Sequence, residues 1–328
     1  MIGRKLISSP LLRPIFVPWL RASATREVRR WRRYRRRAKR WAQRRLWSVS
    51  PAYYERVMFR SHVRYNPDLR NPRSFNEKIA WRKLYQRIPF APAISDKFAV
   101  RDYVRCRVGD RYLKDVIAVY EAPGEIDLSR LPNSFVAKAT HGSGLNVFVR
   151  DKESLDLGEV RVRLAKFLTI TDYGKYKNEW WYSKIKPRII VEPLLADRDF
   201  GSLVDYELYV FDGTIQLITL TFDRFTGLRK TCYDRQWQHL DISYAPAGPR
   251  LPAPRHLPEI IEVAEELGRG MDFARIDLTC PNDEAVLFGE VTLAPLAGWS
   301  PLTKPGTDQL LGSFWHLRPA LDIGWGAG

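Results

Sequence analysis

Arg275 and Asp277 occupy alternate positions in Phe273-Ala274-Arg275-Ile276-Asp277-Leu278, and Glu290 and Thr292 do the same in Val286-Leu287-Phe288-Gly289-Glu290-Val291-Thr292. Both stretches read as strands. Side chains on a strand alternate between faces, so each pair shares one face. Pro281-Asn282-Asp283 supplies turn chemistry between them, which predicts a hairpin that brings the two pairs together. One guanidinium beside two carboxylates suits Mg²⁺ and phosphate. Magnesium takes one or two carboxylates and completes its shell with water and phosphate oxygens, while arginine grips phosphate in a bidentate fork. An Arg-x-Asp strand also suits a plain surface ion pair, so the reading turns on partners upstream.

Such a partner is Lys138. It ends the apolar run Phe135-Val136-Ala137 and is soon followed by His141-Gly142-Ser143-Gly144. Glycine lets backbone N–H groups approach an anion closely and an ammonium adds a point charge, so this pattern predicts a loop that covers phosphates. The competing reading is an ordinary glycine turn with His141 as polar surface. Neither G-x-x-x-x-G-K-[ST] nor G-x-G-x-x-G occurs, which excludes a Walker A loop and a dinucleotide fingerprint.

These residues need elements to hold them. Ser74 and Glu77 form a capping-box pattern that starts a helix reaching about Tyr85, and Ser95-Asp96 opens a second helix through Arg107, ended by Gly109. Asp115–Tyr120 and Ser134–Thr140 read as strands, Val160–Leu168 as a helix, and Arg188–Leu195 as a strongly apolar strand. Tyr206–Phe211 and Ile215–Phe222 flank Asp212-Gly213, the strongest hairpin signal in the chain. Residues 245–258 are a proline-rich linker, and Pro258–Gly270 is an amphipathic helix. The fold class is α+β, or mixed α/β, without internal repeats.

Charge is distributed unevenly. Of 54 basic and 37 acidic residues, 16 and one respectively fall in residues 1–50, so +15 of the net +17 belongs to that arm. The nearly balanced remainder gives no case for a nucleic-acid-binding core. Residues 25–47 place Val28, Trp31, Tyr34, Ala38, Trp41 and Leu46 at helical spacing among arginines. Three readings stay open for this basic amphipathic helix: an anionic membrane surface, a solvated or packed arm, and RNA or another acidic partner. The start, with Arg4-Lys5 and Ala22-Ser23-Ala24, imitates a signal peptide, but the arginine-rich run behind it would hinder translocation. The apolar stretch Ile7–Leu20 is too interrupted by proline to cross a bilayer. Cys106, Cys232 and Cys280 lack metal or redox spacing, which points to a reduced compartment. His62, His239, His256 and His316 read as structural or exposed.

In order, Asp96-Lys97, Lys138-Ala139-Thr140-His141-Gly142-Ser143-Gly144, Lys186-Pro187-Arg188-Ile189-Ile190-Val191-Glu192-Pro193, Asp205-Tyr206 and Phe288-Gly289-Glu290-Val291-Thr292 resemble the TupA-like branch of the ATP-grasp superfamily over about residues 60–318. The resemblance implies two α+β lobes gripping ATP. It divides the chain into a basic arm (1–50), an N-terminal helical and α/β region (51–130), a small lobe with the phosphate loop (131–195), a large lobe with the metal site (196–318) and a tail (319–328). By the same resemblance, Lys97 and Lys138 meet the ATP phosphates under the loop His141, Gly142, Ser143 and Gly144. Glu192 accepts from the adenine amino group, with the backbone around Leu194 framing the ring, and Asp205 contacts the ribose. For Glu192 the competing reading is a strand-end carboxylate paired with a neighbouring lysine. Asp277, Glu290 and Thr292 would hold Mg²⁺, Arg275 would face the transferred phosphate, and Arg229 and Lys230 would add positive charge.

The implied activity is that of a carboxylate-amine ligase working through an acyl phosphate, in bacterial surface-polysaccharide or glycopeptide synthesis. Its partners would be a carboxylate, an amine and a sugar or lipid-linked glycan, and its place the cytoplasm, peripheral on the inner membrane face. Trp180-Trp181-Tyr182 and Trp299 are candidates to stack on sugar, or to lie in the core. The chain departs from the branch at Glu207, where lysine is usual, and at Pro295-Leu296-Ala297-Gly298, where Pro-Gly-Ser-Gly is usual. Glu207 keeps a degenerate nucleotide-binding scaffold in play, beside a sugar phosphotransferase on the same fold.

Overall fold

Apolar alternation in the C-terminal half and continuous apolar runs in the middle require sheets buried on one or both faces. The computed structural model describes residues 41–325 except Gly201, 224–226, 243–244, Thr303 and Asp322. The chain divides into two units, Met1–Tyr54 and Glu55–Gly328. In the first, residues 41–49 are helical (α1), Trp41 and Val49 are exposed, and Arg45 lies over the Trp41 ring. Val28, Trp31, Tyr34 and Ala38 of the expected amphipathic helix lie outside the described residues. No helix among the described residues is long and apolar enough to cross a membrane.

Helix α2 (Pro51–Val63) leads to α3 (Phe75–Tyr85), which starts where the sequence predicts. Ser74 Oγ accepts from the Glu77 N–H, and the Glu77 carboxylate accepts from the Ser74 N–H, the reciprocal capping box. The helix expected from Ser95 to Arg107 starts only at Val100, as α5 (Val100–Arg107), and a short α4 (Ala91–Ser95) ends where it was to begin. Asp96 Oδ1 accepts from the N–H groups of Phe98 and Ala99, a local turn that competes with helix, and Lys97 sits in that turn.

A four-stranded antiparallel sheet follows, in the order β1 (Ala118–Tyr120), β4 (Ile189–Glu192), β2 (Phe135–Ala139), β3 (Asn146–Val149). All four residues of β4 are buried, and α6 (Leu157–Leu168), capped by Asp156, lays Val160, Leu164 and Phe167 onto this sheet's core. The six-stranded antiparallel sheet has the order β10 (Leu287–Thr292), β9 (Phe273–Thr279), β5 (Asp205–Phe211), β6 (Thr214–Phe222), β7 (Arg229–Tyr233), β8 (His239–Leu240). Its β5–β6 hairpin turns on Asp212 and Gly213, both at positive φ (47° and 82°), as a type I′ turn requires. Helix α7 (Leu257–Gly268) covers the sheet with Ile260, Val263, Ala264 and Leu267, and α8 (Thr307–Ser313) packs on α3. Two expected boundaries shift. Because β1 pairs with β4, the smaller lobe reaches upstream to residue 118, and Leu321 and Ile323 are buried in the main core, so the C-terminal stretch is no free tail.

Helix α3 is fastened by charges that never see water. Arg82 is fully buried, donates to Asp272, to Gln86 Oε1 (2.8 Å), to Phe273 O (2.9 Å) and to Leu293 O (3.1 Å), and lies 4.3 Å from the Trp315 ring centroid. It thus ties α3 to the start of β9 and the exit of β10. Asp272→Ala leaves a buried guanidinium without its counter-charge and is expected to destabilise the protein by about 3–5 kcal/mol, measured by chemical denaturation. A loss under about 1 kcal/mol would remove Arg82 from this role.

Candidate active site

Three carboxylates stand in one row across the large sheet. Glu290 on β10 lies directly opposite Asp277 on β9, which lies directly opposite Glu207 on β5. A bulge between Phe288 and Glu290 sets this register. One residue row away, Arg275 reaches across them. Its Nε and Nη2 donate to the two oxygens of Asp277 at 2.7 and 2.6 Å, Nη2 is 3.5 Å from Glu290 Oε1 and 3.3 Å from Thr292 Oγ1, and Nη1 is 3.7 Å from Glu207 Oε2. Glu207 in turn accepts from Lys230 Nζ (2.7 Å) and Thr221 Oγ1 (2.9 Å). Burial, Glu290 and Glu207 push the Asp277 carboxyl up to about 7 against the pull of Arg275. A second cation at this wall is therefore electrostatically favoured.

The wall faces a cavity of about 420 Å³. Asp277 and Glu290 line it from the large sheet, and Lys138 and Glu192 from the small one. Lys97, Leu194 and Asp205 complete a group of seven sequence-selected residues in a single cavity, carried by separate segments of the chain. Lys138 Nζ donates to Glu192 Oε2 at 2.5 Å, so the strand-end carboxylate is paired with a neighbouring lysine. Burial opposes ionisation of Glu192, but the ammoniums of Lys138 and Lys114 outweigh it and hold the carboxyl below its ordinary value. Lys97 Nζ donates to Gly142 O at 2.5 Å and so fastens the loop to the cavity.

The remaining selected residues sit around that space. Arg275 and Thr292 lie behind the carboxylates, outside the lining, with the Thr292 hydroxyl 3.3 Å from Glu290 Oε1. His141 is not polar surface: it is buried, and burial pushes its imidazole pKa down, so it is neutral. Gly142 is buried as well, and a Cβ there would stand 2.8–3.0 Å from the Tyr173 ring; Ser143 and Gly144 form the exposed tip, with Gly144 at φ 76°. Lys230 and Arg229 are held by Glu207 and Asp223 instead of facing the cavity. Trp181 is core, and the Trp299 ring is engaged by Lys83 at 4.5 Å and His62 at 5.6 Å, so neither offers a bare face to a sugar.

Sequence reasoning missed Lys114, Arg101, Phe148 and Arg150, which also line the cavity. Burial and the nearby Lys138 push the Lys114 ammonium down to about 8. No motif marks these residues: Lys114 precedes β1, Phe148 and Arg150 come with the β2–β3 hairpin, and Arg101 comes from α5 and donates to Lys114 O at 2.8 Å. Among the described residues no group of three or more His, Cys, Asp or Glu forms a metal cage. An oxygen pair such as Asp277 and Glu290 fits Mg²⁺, which asks little of the protein and takes its other ligands from water and phosphate, better than it fits zinc.

A sequence model for the family described as TupA-like ATPgrasp matches residues 77–316. No curated protein matches the chain. Among solved structures, D-cycloserine synthetase DcsG is similar at 14% identity over 69% of this chain and 70% of its own, with a TM-score of 0.40. The D-alanine–D-alanine ligase of Bacillus anthracis complexed with ATP is similar at 14% identity over 61% and 55%, TM-score 0.36. The ATP-grasp ligase PsnB, complexed with a phosphomimetic precursor variant, Mg and ADP, is similar at 11% over 62% and 52%, TM-score 0.35. The chain spans about half the length of the PsnB chains.

The contact between Gly142 and Tyr173 makes a direct test of the loop. Gly142→Ala drives a methyl group into the ring and is expected to lose about 1–3 kcal/mol of stability. Tyr173→Ala in the same chain removes the clash. If thermal melts show no recovery in the double variant, the ring is not what holds Gly142 in place.

Proposed function

Because this chain belongs to the TupA-like ATP-grasp family, we propose that it is an ATP- and Mg²⁺-dependent carboxylate-amine ligase that works through an acyl phosphate. The observation that carries this reading is the single cavity in which Lys97 and Lys138 face Asp277 and Glu290. A triphosphate needs cations on one side and a metal-binding acid pair on the other, and few other ligands need both. In this reading Lys97 and Lys138 hold the phosphates, with Lys114 as a third ammonium, while the Ser143–Gly144 tip closes over them. Glu192 turns from Lys138 to the adenine amino group, the backbone at Leu194 borders the ring, and Asp205 takes the ribose. Asp277 and Glu290 hold Mg²⁺, which would neutralise phosphate charge when bound. Arg275 fixes Asp277 from behind, and Thr292 braces Glu290.

The chemistry then asks mainly for position and charge balance. An oxygen of the substrate carboxylate forms a bond to the γ-phosphorus as the bond from that phosphorus to the bridging oxygen of ADP breaks. The lysines meet the charge that gathers on the phosphoryl oxygens, and the amine afterwards displaces phosphate from the acyl carbon. By substrate class we assign a sugar or other carboxylate and an amine of a surface polysaccharide or glycopeptide. Glu207 does not argue for a degenerate scaffold, because Lys230 neutralises it away from the cavity lining.

We assign the basic arm, residues 25–47, to an anionic membrane surface at the cytoplasmic face. Its +11 charge and interleaved tryptophans match lipid headgroups and the interface, each basic residue near the surface contributing about 1 kcal/mol.

Two experiments check these assignments. Asp277→Asn and Glu290→Gln should each remove the Mg²⁺ dependence of ATP binding in calorimetry and cut ADP release at least about a hundredfold, with melting preserved. Wild-type behaviour in both variants would withdraw the metal assignment. Deleting residues 1–50 should abolish co-sedimentation with phosphatidylserine vesicles at low salt; unchanged sedimentation defeats the membrane assignment.

A further inference from the structure

Helix α2 carries a surface that the chemistry of the cavity does not use. Its inward side is fixed. Phe59 and Val63 pack with Leu69 and Ala80, and Glu55 accepts from Lys83 Nζ (2.7 Å), Trp299 Nε1 (2.7 Å) and Asn178 Nδ2 (2.8 Å). These contacts keep the helix from rolling, so the residues on its other side are held outward. Arg56, Val57 and Arg60 are all exposed, Val57 by 41% although it is apolar. At about 3.6 residues per turn their spacing confines them to one stripe roughly 100° wide.

Arg64 closes the helix. Its N–H still donates to Arg60 O (3.1 Å), but its backbone is left-handed (φ 76°). Glycine or asparagine usually takes this position, because a Cβ is costly there, and costly backbone concentrates where function demands it. Arg56, Arg60 and Arg64 follow one another at intervals of four residues, at which like charges repel. Among the described residues none of the three side chains enters an ion pair or hydrogen bond. Between residues 55 and 73 the acids are Glu55, engaged inside the protein, and Asp68, whose carboxylate accepts from the N–H groups of Arg70 (3.0 Å) and Asn71 (3.1 Å). The arginine row is thus uncompensated within the fold and gains if an anionic surface meets it.

We propose that this face of α2 rests on an anionic lipid surface, with Arg56, Arg60 and Arg64 among the headgroups and Val57 at the interface. This rests on the membrane assignment of the basic arm and extends it to the helix that follows. Charge complementarity selects the occupant, and so does chain order, since α2 begins at Pro51, directly after the arm. An exposed helix stripe is convex, and a bilayer needs no groove to receive it. Two contacts on one surface reinforce each other, because the first raises the effective concentration of the second. The second also fixes the orientation of the protein on the bilayer, which a tether alone does not.

The test uses the full chain and vesicles of equal parts phosphatidylserine and phosphatidylcholine at low salt. Arg56→Glu combined with Arg60→Glu should weaken co-sedimentation at least about tenfold and leave the melting temperature unchanged. Arg64→Gly should melt higher than the parent, because glycine relieves the left-handed backbone, and yet bind vesicles more weakly. An arginine kept for structure alone would melt lower when replaced. A nitroxide on Val57→Cys, in a Cys106→Ser chain whose other thiols are buried, should become shielded from a water-soluble relaxant when vesicles are added. Parent-like sedimentation of the double variant, or a nitroxide that stays open to the relaxant on bound protein, overturns the docking of α2 and leaves the assignment of the arm standing. An equal loss of binding to poly(U) RNA with an unshielded nitroxide overturns it in favour of a nucleic acid. A parent chain that does not sediment with vesicles at all overturns the assignment of the arm, and this one with it.

Discussion

The molecule depends on how it keeps several carboxylates in one buried row. Glu290, Asp277 and Glu207 lie opposite one another on adjacent strands, and like charges at that spacing repel strongly where water is scarce. Arg275 and Lys230 supply the compensation from the same sheet. Among the described residues these are the cations bonded to the row, and Glu290 is its most exposed member, with 32% of the side chain open. The cavity opens at that end, with the ammoniums of Lys97, Lys114 and Lys138 also in its lining.

The same logic extends into the scaffold. Arg82 with Asp272 and Lys83 with Glu55 are fully buried pairs on consecutive residues of α3. Such pairs contribute little net stability compared with apolar substitutes, but breaking one is severe, so they act as pins. Arg82 reaches the backbone at both ends of the β9–β10 unit, through Phe273 O and Leu293 O. Lys83 holds Ala297 O in the left-handed turn that follows. The hairpin that carries Asp277 and Glu290 is therefore fixed from outside by α3.

What the sequence made legible was local. Alternation placed Arg275 with Asp277 and Glu290 with Thr292, turn chemistry gave the Asp212–Gly213 hairpin, and Ser74 with Glu77 gave the start of α3. The small sheet was legible as strands but not as an order, because β1 and β4 are 71 residues apart in first members and no local signal links them. The Lys138–Glu192 pair, 54 residues apart, was visible as a competing reading of Glu192. Its geometry was not, since strand propensity says nothing about which strands become neighbours. His141 misled in another way: a histidine ahead of glycines also reads as polar surface, whereas here it lies in the turn after β2 and is buried. The helix expected across residues 95–107 broke because Asp96 favours its own turn, and that break is what frees Lys97 to reach Gly142.

Glu207 shows how a local departure is judged only in three dimensions. Read along the chain, an acid beside the future site looks like lost positive charge. In the sheet it meets Lys230 across the width of β6, with Thr221 filling the space between, and it steadies the far side of Arg275. Removing either the Glu207 charge or Lys230 would break the 2.7 Å bond between them inside the sheet. The charge at position 207 is thus coupled directly to position 230. Substitutions along this row therefore act first on charge pairing within the sheet, and their effects are expected to be non-additive.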